Sequence, residues 1–93
     1  MNLEHVPGKN IGNIVLYALS TCGWCHKTKA LLDSLGIEYS FVYVDLLSKE
    51  DKEATLSTVT KFNPARTFPT VVINDKDCVV GFREDQLKSV LKL

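Results

Sequence analysis

The segment Cys22-Gly23-Trp24-Cys25 constrains this chain most, because it lies between a β-prone run and a helical pattern. Residues 14–17 are Ile-Val-Leu-Tyr, typical of a buried strand, and apolar residues recur at helical spacing after His26. A helix N-terminus presents unpaired N–H groups and a partial positive charge, so it stabilises an anion such as a thiolate. We therefore predict a redox pair with Cys22 as the ionised nucleophile and Cys25 as the thiol that attacks the resulting mixed disulfide.

A structural zinc site is one alternative for a Cys-x-x-Cys pair, and it needs two further ligands. The remaining candidates are Cys78, His5 and His26, which are scattered along the chain. A purely structural disulfide is also disfavoured, because so short a loop would constrain little of the unfolded chain. We therefore expect no metal and no cofactor besides the Cys22–Cys25 pair.

Composition and charge limit the classes of function. Hydrophobic residues make up 45% of the 93 residues and charged residues 24%, which is typical of one folded domain with a core. Eleven basic residues balance eleven acidic ones, so we expect neither a nucleic-acid nor a membrane partner. No apolar run approaches the roughly 20 residues of a membrane span, and residues 1–8 lack the blocks of a secretory signal. A cytoplasmic protein is therefore the default expectation, and we expect a monomer. In a reducing compartment paired cysteines are more often catalytic than structural, which agrees with a redox pair.

Hydrophobic periodicity predicts an α/β fold with the element order β-α-β-α-β-β-α. An extended or loosely held tail is expected over residues 1–12 and a single domain over residues 13–93. The strands are predicted at 13–18, 38–44, 70–73 and 78–80, and the helices at 24–35, 49–61 and 84–93. The first three elements should form a right-handed βαβ unit and the last two strands an antiparallel hairpin. The result is a four-stranded mixed sheet flanked by three helices.

Capping and packing of the first two helices can also be predicted. Ser20 and Thr21 carry hydroxyls that could cap the first helix, and Ser48 precedes the second. The core side of the first helix is predicted to comprise Ala30, Leu31, Leu32 and Leu35.

Two further motifs make the signal more specific than the cysteine pair alone. Phe68-Pro69-Thr70 precedes the third predicted strand, and Gly81-Phe82-Arg83-Glu84-Asp85 opens the last helix. Together with the cysteine segment, these motifs resemble the glutaredoxins, the minimal form of the thioredoxin fold, over residues 14–93. The resemblance implies a cis Phe68–Pro69 bond that faces the sulfurs. It also implies substrate contacts at Gly23, Trp24, Phe68, Pro69, Gly81, Phe82 and Arg83.

The last motif departs from the glutathione-using pattern of that family. The family's Gly-Gly is Gly81-Phe82 here, and Leu19 stands where a basic residue often precedes the active site. Both differences should weaken the capture of glutathione's carboxylates. The run Gly-Phe-Arg-x-Asp instead resembles the NrdH-redoxins, which are glutaredoxin-like in sequence but take electrons from a reductase. They reduce ribonucleotide reductase or other protein disulfides, although their usual active-site pair differs from Gly23-Trp24.

The resemblance implies a thiol–disulfide oxidoreductase, an electron carrier that reduces protein disulfides and is recharged by a protein reductase. Two alternatives stay open. One is a glutathione-dependent glutaredoxin. The other is a glutaredoxin that binds an iron–sulfur cluster as a dimer, which would need an external thiol. Gly23 is compatible with a cluster, but two active-site cysteines suit dithiol exchange better.

Overall fold

The computed structural model describes residues 3–93, and within them five strands form one mixed sheet. The strands are β1 (Glu4–Val6), β2 (Ile14–Ala18), β3 (Tyr39–Tyr43), β4 (Thr70–Ile73) and β5 (Asp77–Val80). The helices are α1 (Gly23–Ser34), α2 (Lys49–Phe62) and α3 (Glu84–Leu91), with a short 3-10 turn at Val44–Leu46. The predicted α/β class and its three flanking helices are confirmed, and the sheet has one strand more than predicted. In this part of the chain, no helix has both the length and the apolar character needed to cross a membrane.

The strand order β1-β3-β2-β4-β5 places β2 at the centre of the sheet. Strands β2 and β3 are parallel and joined by α1, whereas β2–β4 and β4–β5 are antiparallel. The predicted βαβ unit and hairpin are therefore confirmed. Because Ala18 pairs with Tyr43, the loops that leave β2 and β3 emerge side by side at one edge of the sheet.

The additional strand lies in the segment predicted to be an extended or loosely held tail. Residues Glu4–Val6 pair antiparallel with β3, which would otherwise be the edge of the sheet. Further along, the Lys9 N–H donates to the Gly36 carbonyl at 2.9 Å, so the chain is also held beside the end of α1. The segment is extended, which is one of the two conformations expected, but residues 4–9 are not loosely held, because the free edge of β3 and the turn after α1 offer them backbone partners. Residues 1–2 lie outside the described part, and the domain boundary after residue 12 stays a prediction.

Two hydrophobic clusters cover the two faces of the sheet, because alternate residues of β2 point in opposite directions. Leu16 packs with Leu32 of α1 and Leu87 of α3. Tyr17 lies in the other cluster, with Val59 of α2. Helices α1 and α3 therefore lie on one face of the sheet and α2 on the other. Cys25 of α1 belongs to the first cluster.

The inward face of α1 differs in part from its prediction. Leu32 is fully buried, and Leu31 and Leu35 pack partly against the same cluster, as expected. Ala30 is exposed, and Thr28 is buried in its place with its hydroxyl donating to a backbone carbonyl one turn back. The polar Thr28 was not assigned to the core because apolar spacing alone gives no sign that a hydroxyl is satisfied locally.

Candidate active site

The sulfur of Cys22 caps the N-terminus of α1. The Cys25 N–H donates to Cys22 Sγ at 3.2 Å, and the Cys22 backbone is extended, with φ −96° and ψ 116°. A sulfur at this position accepts an N–H bond at the positive end of the helix dipole, which is where helix N-termini hold anions. The prediction that Ser20 or Thr21 caps this helix is wrong, because the cysteine itself occupies the capping position.

Cys25 differs from Cys22 in its access to solvent. Cys22 is partly exposed, whereas Cys25 is 1% exposed and belongs to the cluster between α1 and the sheet. Burial, and next a hydrogen bond with the Cys22 sulfur, raise the pKa of the Cys25 thiol to about 12. The Leu19 N–H donates to Cys25 Sγ at 3.4 Å and opposes this rise. An incoming disulfide can therefore reach Cys22 first, with Cys25 protonated behind it.

A polar network holds the loop between β2 and the cysteine pair. The backbone N–H of Ser20 donates to Asp45 Oδ1 at 2.8 Å, and its hydroxyl donates to Asp45 Oδ2 at 2.5 Å. On the other side, His26 Nε2 donates to the Ser20 carbonyl at 2.7 Å. The hydrogen bonds from Ser20 lower the pKa of the Asp45 carboxyl below its usual range. Sequence reasoning missed this network, because no local pattern links residues 25 positions apart.

An open apolar groove of about 260 Å³ lies beside the cysteine segment. The lining residues are Trp24, Phe68, Pro69, Gly81 and Phe82, all of which were predicted as site residues. Trp24 is 57% exposed, and its ring stacks on that of Phe82 with the centroids 5.8 Å apart. Lys27 covers the Trp24 ring with Nζ 4.6 Å from the centroid. The groove thus has a flat aromatic surface, and a lysine lies over one of its two stacked rings.

The turn before β4 forms one wall of this groove. The Phe68–Pro69 peptide bond is cis, as the resemblance implied. The Gly81 N–H donates to the Pro69 carbonyl at 2.8 Å and ties the two walls together. Gly81 has φ +83°, in the left-handed region that favours glycine, which explains the residue at this turn.

The two remaining predicted contact residues, Gly23 and Arg83, do not line this groove. Gly23 is the exposed first residue of α1, and a Cβ there would meet no atom within 4 Å. Arg83 is exposed just before α3 and lines a second opening of about 420 Å³, together with Phe82 and the first turn of α3. Phe82 therefore separates the groove beside the cysteines from the opening at α3.

A bound metal ion would need several His, Cys, Asp or Glu side chains close together. Within residues 3–93, no three His, Cys, Asp or Glu side chains cluster closely enough to hold one metal ion. Cys78 lies partly buried on β5, where burial raises the pKa of its thiol.

Comparison with known sequences places the chain among redox proteins. The family model for glutaredoxin matches residues 14–78. Glutaredoxin 1 of Rickettsia typhi is 34% identical over 62 residues, which cover 67% of this chain and 57% of that protein. Glutaredoxin-1 of Mus musculus is 31% identical over 71 residues, which cover 75% of this chain and 65% of that protein. The chain thus spans less than two thirds of the length of these relatives.

Solved structures show the same relationship. The glutaredoxin from Methanosarcina mazei Go1 has a TM-score of 0.93 and 43% identity, covering 98% of this chain and 88% of that one. Methanosarcina acetivorans methanoredoxin has a TM-score of 0.90 and 46% identity, covering 92% of this chain and 90% of that one. The NrdH-redoxin from Escherichia coli, at TM-score 0.63 and 23% identity, shares the fold over 84% of this chain and 93% of that one. With its thioredoxin-like fold and a family-model match over most of its length, the chain belongs to the glutaredoxin family.

Proposed function

We propose that this protein is a thiol–disulfide oxidoreductase that reduces protein disulfides through Cys22 and Cys25. The observation that supports it most directly is the difference between the two sulfurs. Cys22 is accessible and receives an N–H bond at the start of α1, whereas Cys25 is buried behind it with a raised pKa. This arrangement suits a reaction in two ordered steps.

In the first step, the Cys22 thiolate attacks one sulfur of the target disulfide. A Cys22–target disulfide forms, and the other target sulfur leaves with the electron pair of the broken bond and takes a proton from solvent. In the second step, Cys25 loses its proton to solvent and attacks Cys22 Sγ. The Cys22–Cys25 disulfide forms, the target leaves as a second thiolate, and two electrons have passed from the pair to the target. The two thiols carry these electrons themselves, so we propose that no other cofactor takes part.

The groove supports a protein as the substrate. Aromatic residues are enriched in protein–protein interfaces, and the Trp24–Phe82 pair presents such a surface beside Cys22. An extended segment of the target could lie along the turn at Phe68 and form backbone hydrogen bonds there, as in strand addition. Gly23 would allow this segment close to the sulfur, because no side chain projects from that position. Arg83 would contact the target where the groove ends.

A protein reductase is our proposed electron donor, rather than glutathione. The Phe82 ring stands where a second glycine would leave open space, between the groove and the opening at α3. Leu19 has a neutral side chain and offers no charge to a carboxylate, and it packs partly against the α2 side of the sheet. Ribonucleotide reductase is one candidate target on the resemblance to NrdH-redoxins. We further propose that the protein acts as a monomer in a reducing compartment such as the cytoplasm.

Trapping tests the assignment of the two thiols. In a Cys78→Ser background, Cys25→Ser should accumulate a mixed disulfide with a disulfide-containing protein, because the second step is blocked. Cys22→Ser should accumulate none, since the buried Cys25 is shielded from the target. Non-reducing electrophoresis and mass spectrometry report the adduct. The reverse trapping pattern would show that the roles are exchanged.

An insulin-reduction assay with two recharging systems tests the electron donor. Turnover should be rapid with a reductase of the thioredoxin-reductase class and slow with glutathione and its reductase. Robust glutathione-driven turnover would refute the proposed donor while leaving the dithiol mechanism intact. A coloured, dimeric purified protein would favour the iron–sulfur alternative instead.

A further inference from the structure

The two active-site sulfurs receive their backbone hydrogen bonds from different elements. Cys22 Sγ accepts the N–H of Cys25, which belongs to α1. Cys25 Sγ accepts the N–H of Leu19, which belongs to the loop that follows β2. A change that affects only this loop should therefore alter the chemistry of Cys25 more than that of Cys22.

The loop has an external anchor at the residue next to Leu19. Ser20 donates two hydrogen bonds to the carboxylate of Asp45, one from its backbone N–H and one from its hydroxyl. Asp45 lies in the 3-10 turn that follows β3, so the anchor connects the loop to the end of a neighbouring parallel strand. Hydrogen bonds to a charged acceptor are stronger than those between neutral groups, so this contact holds the loop firmly even at an exposed position.

We propose that Asp45 is a positioning residue for the second step of the reaction, in which Cys25 releases the captured target. Through Ser20, its carboxylate keeps the Leu19 N–H directed at Cys25 Sγ, and that N–H stabilises the thiolate that Cys25 must become. The capture of the target by Cys22 depends mainly on α1, although the Cys22 backbone N–H also donates to the Leu19 carbonyl at 3.2 Å, so this step should depend on Asp45 much less than the second. This inference rests on the proposed dithiol mechanism and assigns a function to a residue outside the cysteine segment.

The negative charge of Asp45 opposes ionisation of the Cys25 thiol, whereas its anchoring of the loop favours ionisation through the Leu19 N–H. A nearby carboxylate disfavours a second negative charge, and Asp45 contributes to the raised pKa of Cys25. This contribution is the smallest influence on the Cys25 thiol, whereas the opposing hydrogen bond from Leu19 is larger. Loss of the anchor should therefore outweigh loss of the charge, and removal of Asp45 should slow the second step.

A symmetrical nitroaryl disulfide can separate the two steps in a stopped-flow experiment. Attack by Cys22 releases one yellow thiolate at a rate that rises with reagent concentration. Attack by Cys25 on the mixed disulfide releases the second thiolate at a rate independent of that concentration. All variants carry Cys78→Ser, so that the third cysteine does not react. Cys25→Ser identifies the second phase by its loss.

Four variants test the inference. Asp45→Ala should slow the second phase about tenfold and change the first by less than about twofold. Ser20→Ala loses only the hydroxyl bond, so it should slow the second phase by a smaller factor, about threefold. Asp45→Asn should restore much of the rate, because an amide oxygen can accept the Ser20 N–H and its NH2 group can donate to the hydroxyl. Asp77→Asn removes an exposed carboxylate on β5, at the opposite end of the sheet, and should change neither phase.

The possible results are distinct. Slowing confined to the second phase, with recovery in Asp45→Asn, supports the positioning function. Equal slowing of both phases, no slowing, or an Asp45→Asn rate equal to that of Asp45→Ala would overturn it. Circular dichroism shows whether each variant is folded. If Asp45→Ala is unfolded, Ser20→Ala provides the same test. If the parent chain itself shows no second phase, the proposed dithiol mechanism fails instead.

Discussion

Two buried threonines show how strongly the effect of one hydroxyl depends on its partner. Thr28 and Thr55 both lie in helices and are both 0% exposed. The Thr28 hydroxyl donates to the Trp24 carbonyl at 2.9 Å. The Thr55 hydroxyl has no hydrogen-bond partner anywhere in residues 3–93. A buried donor without a partner loses its hydration without compensation, so Thr55 weakens the fold where Thr28 does not.

Thr55→Val should therefore stabilise the protein by about 1 kcal/mol, since valine has nearly the same shape and a similar helix propensity. For a domain of this size, that change corresponds to a melting temperature higher by about 4–8 °C. Thr28→Val is the matched control and should bring no gain, because it removes a satisfied hydroxyl. Urea denaturation of both variants measures the difference. Equal gains at the two positions would contradict the explanation.

Phe82 allows the choice of electron donor to be tested at a single side chain. Its ring stacks on Trp24 and separates the groove from the opening at α3. Phe82→Gly should raise glutathione-driven turnover about fivefold or more, because it opens space for the peptide backbone of glutathione. Phe82→Leu keeps much of the bulk without the ring and should remain close to the parent rate. Glutathione-driven turnover of a small disulfide substrate is measured for both variants. Similar rates would show that the size of the side chain at this position does not limit turnover with glutathione.

The residues of the site were predictable from sequence to different degrees. The cysteines and the residues of the groove follow from three short motifs, each of which is contiguous in the chain. The contact of Ser20 with Asp45 does not, because it depends on β2 and β3 ending side by side, a register that forms only on folding. For the same reason the hydroxyl of Ser20 was predicted to cap a helix, whereas it donates to a carboxylate in the turn that follows β3.

At the scale of elements, the segment before β2 depends on one close contact. A Cβ at Gly8 would lie 2.5 Å from the carbonyl carbon of Ile37 and 2.7 Å from the Gly36 oxygen. Both neighbours are backbone atoms, so they cannot rotate away as a side chain could. The absence of a side chain at Gly8 therefore lets the segment after β1 lie directly against the turn between α1 and β3.

Gly8→Ala should destabilise the protein by about 1–3 kcal/mol, the usual range for overpacking at a tight contact. It should also speed amide hydrogen exchange at Glu38, whose N–H donates to the Lys9 carbonyl at 2.8 Å. Gly23→Ala is the control, because its added Cβ meets no atom within 4 Å and should bring no loss of stability. Equal effects of the two substitutions on urea denaturation would exclude the close contact as the cause.

Strand β1 illustrates why short edge strands escape sequence prediction. The segment Glu4-His5-Val6 has one apolar residue and is followed by Pro7 and Gly8, so its composition is typical of a loop. Its strand conformation comes from the free edge of β3, to which it adds backbone hydrogen bonds on folding. The central strands were predictable because their apolar character reflects burial on both faces, which a sequence does record.

For the whole molecule, burial of weakly acidic groups in both clusters sets the response to high pH. Tyr17 is buried on the α2 face of the sheet, and Tyr39 on the face covered by α1 and α3. Burial raises the pKa of both phenols, with further increases from Asp75 for Tyr17 and from the hydrogen bond to Asp33 for Tyr39. Burial likewise raises the pKa of the thiols of Cys25 and Cys78. The folded protein therefore holds these protons more tightly than the unfolded chain does.

The free energy of unfolding should consequently be constant near neutral pH and fall as the pH rises above about 9. The sign follows from linkage, because the unfolded chain releases protons at the ordinary pKa values of roughly 8.5 for cysteine and 10 for tyrosine, while the folded chain retains them. Each group can then lower the stability by up to about 1.4 kcal/mol per pH unit. Tyr17→Phe removes one of these groups, so it should reduce the slope between about pH 10 and pH 11 while keeping the plateau near pH 7. Urea denaturation in the presence of a reductant measures both, and an unchanged slope in Tyr17→Phe would show that this buried phenol does not contribute to the loss of stability.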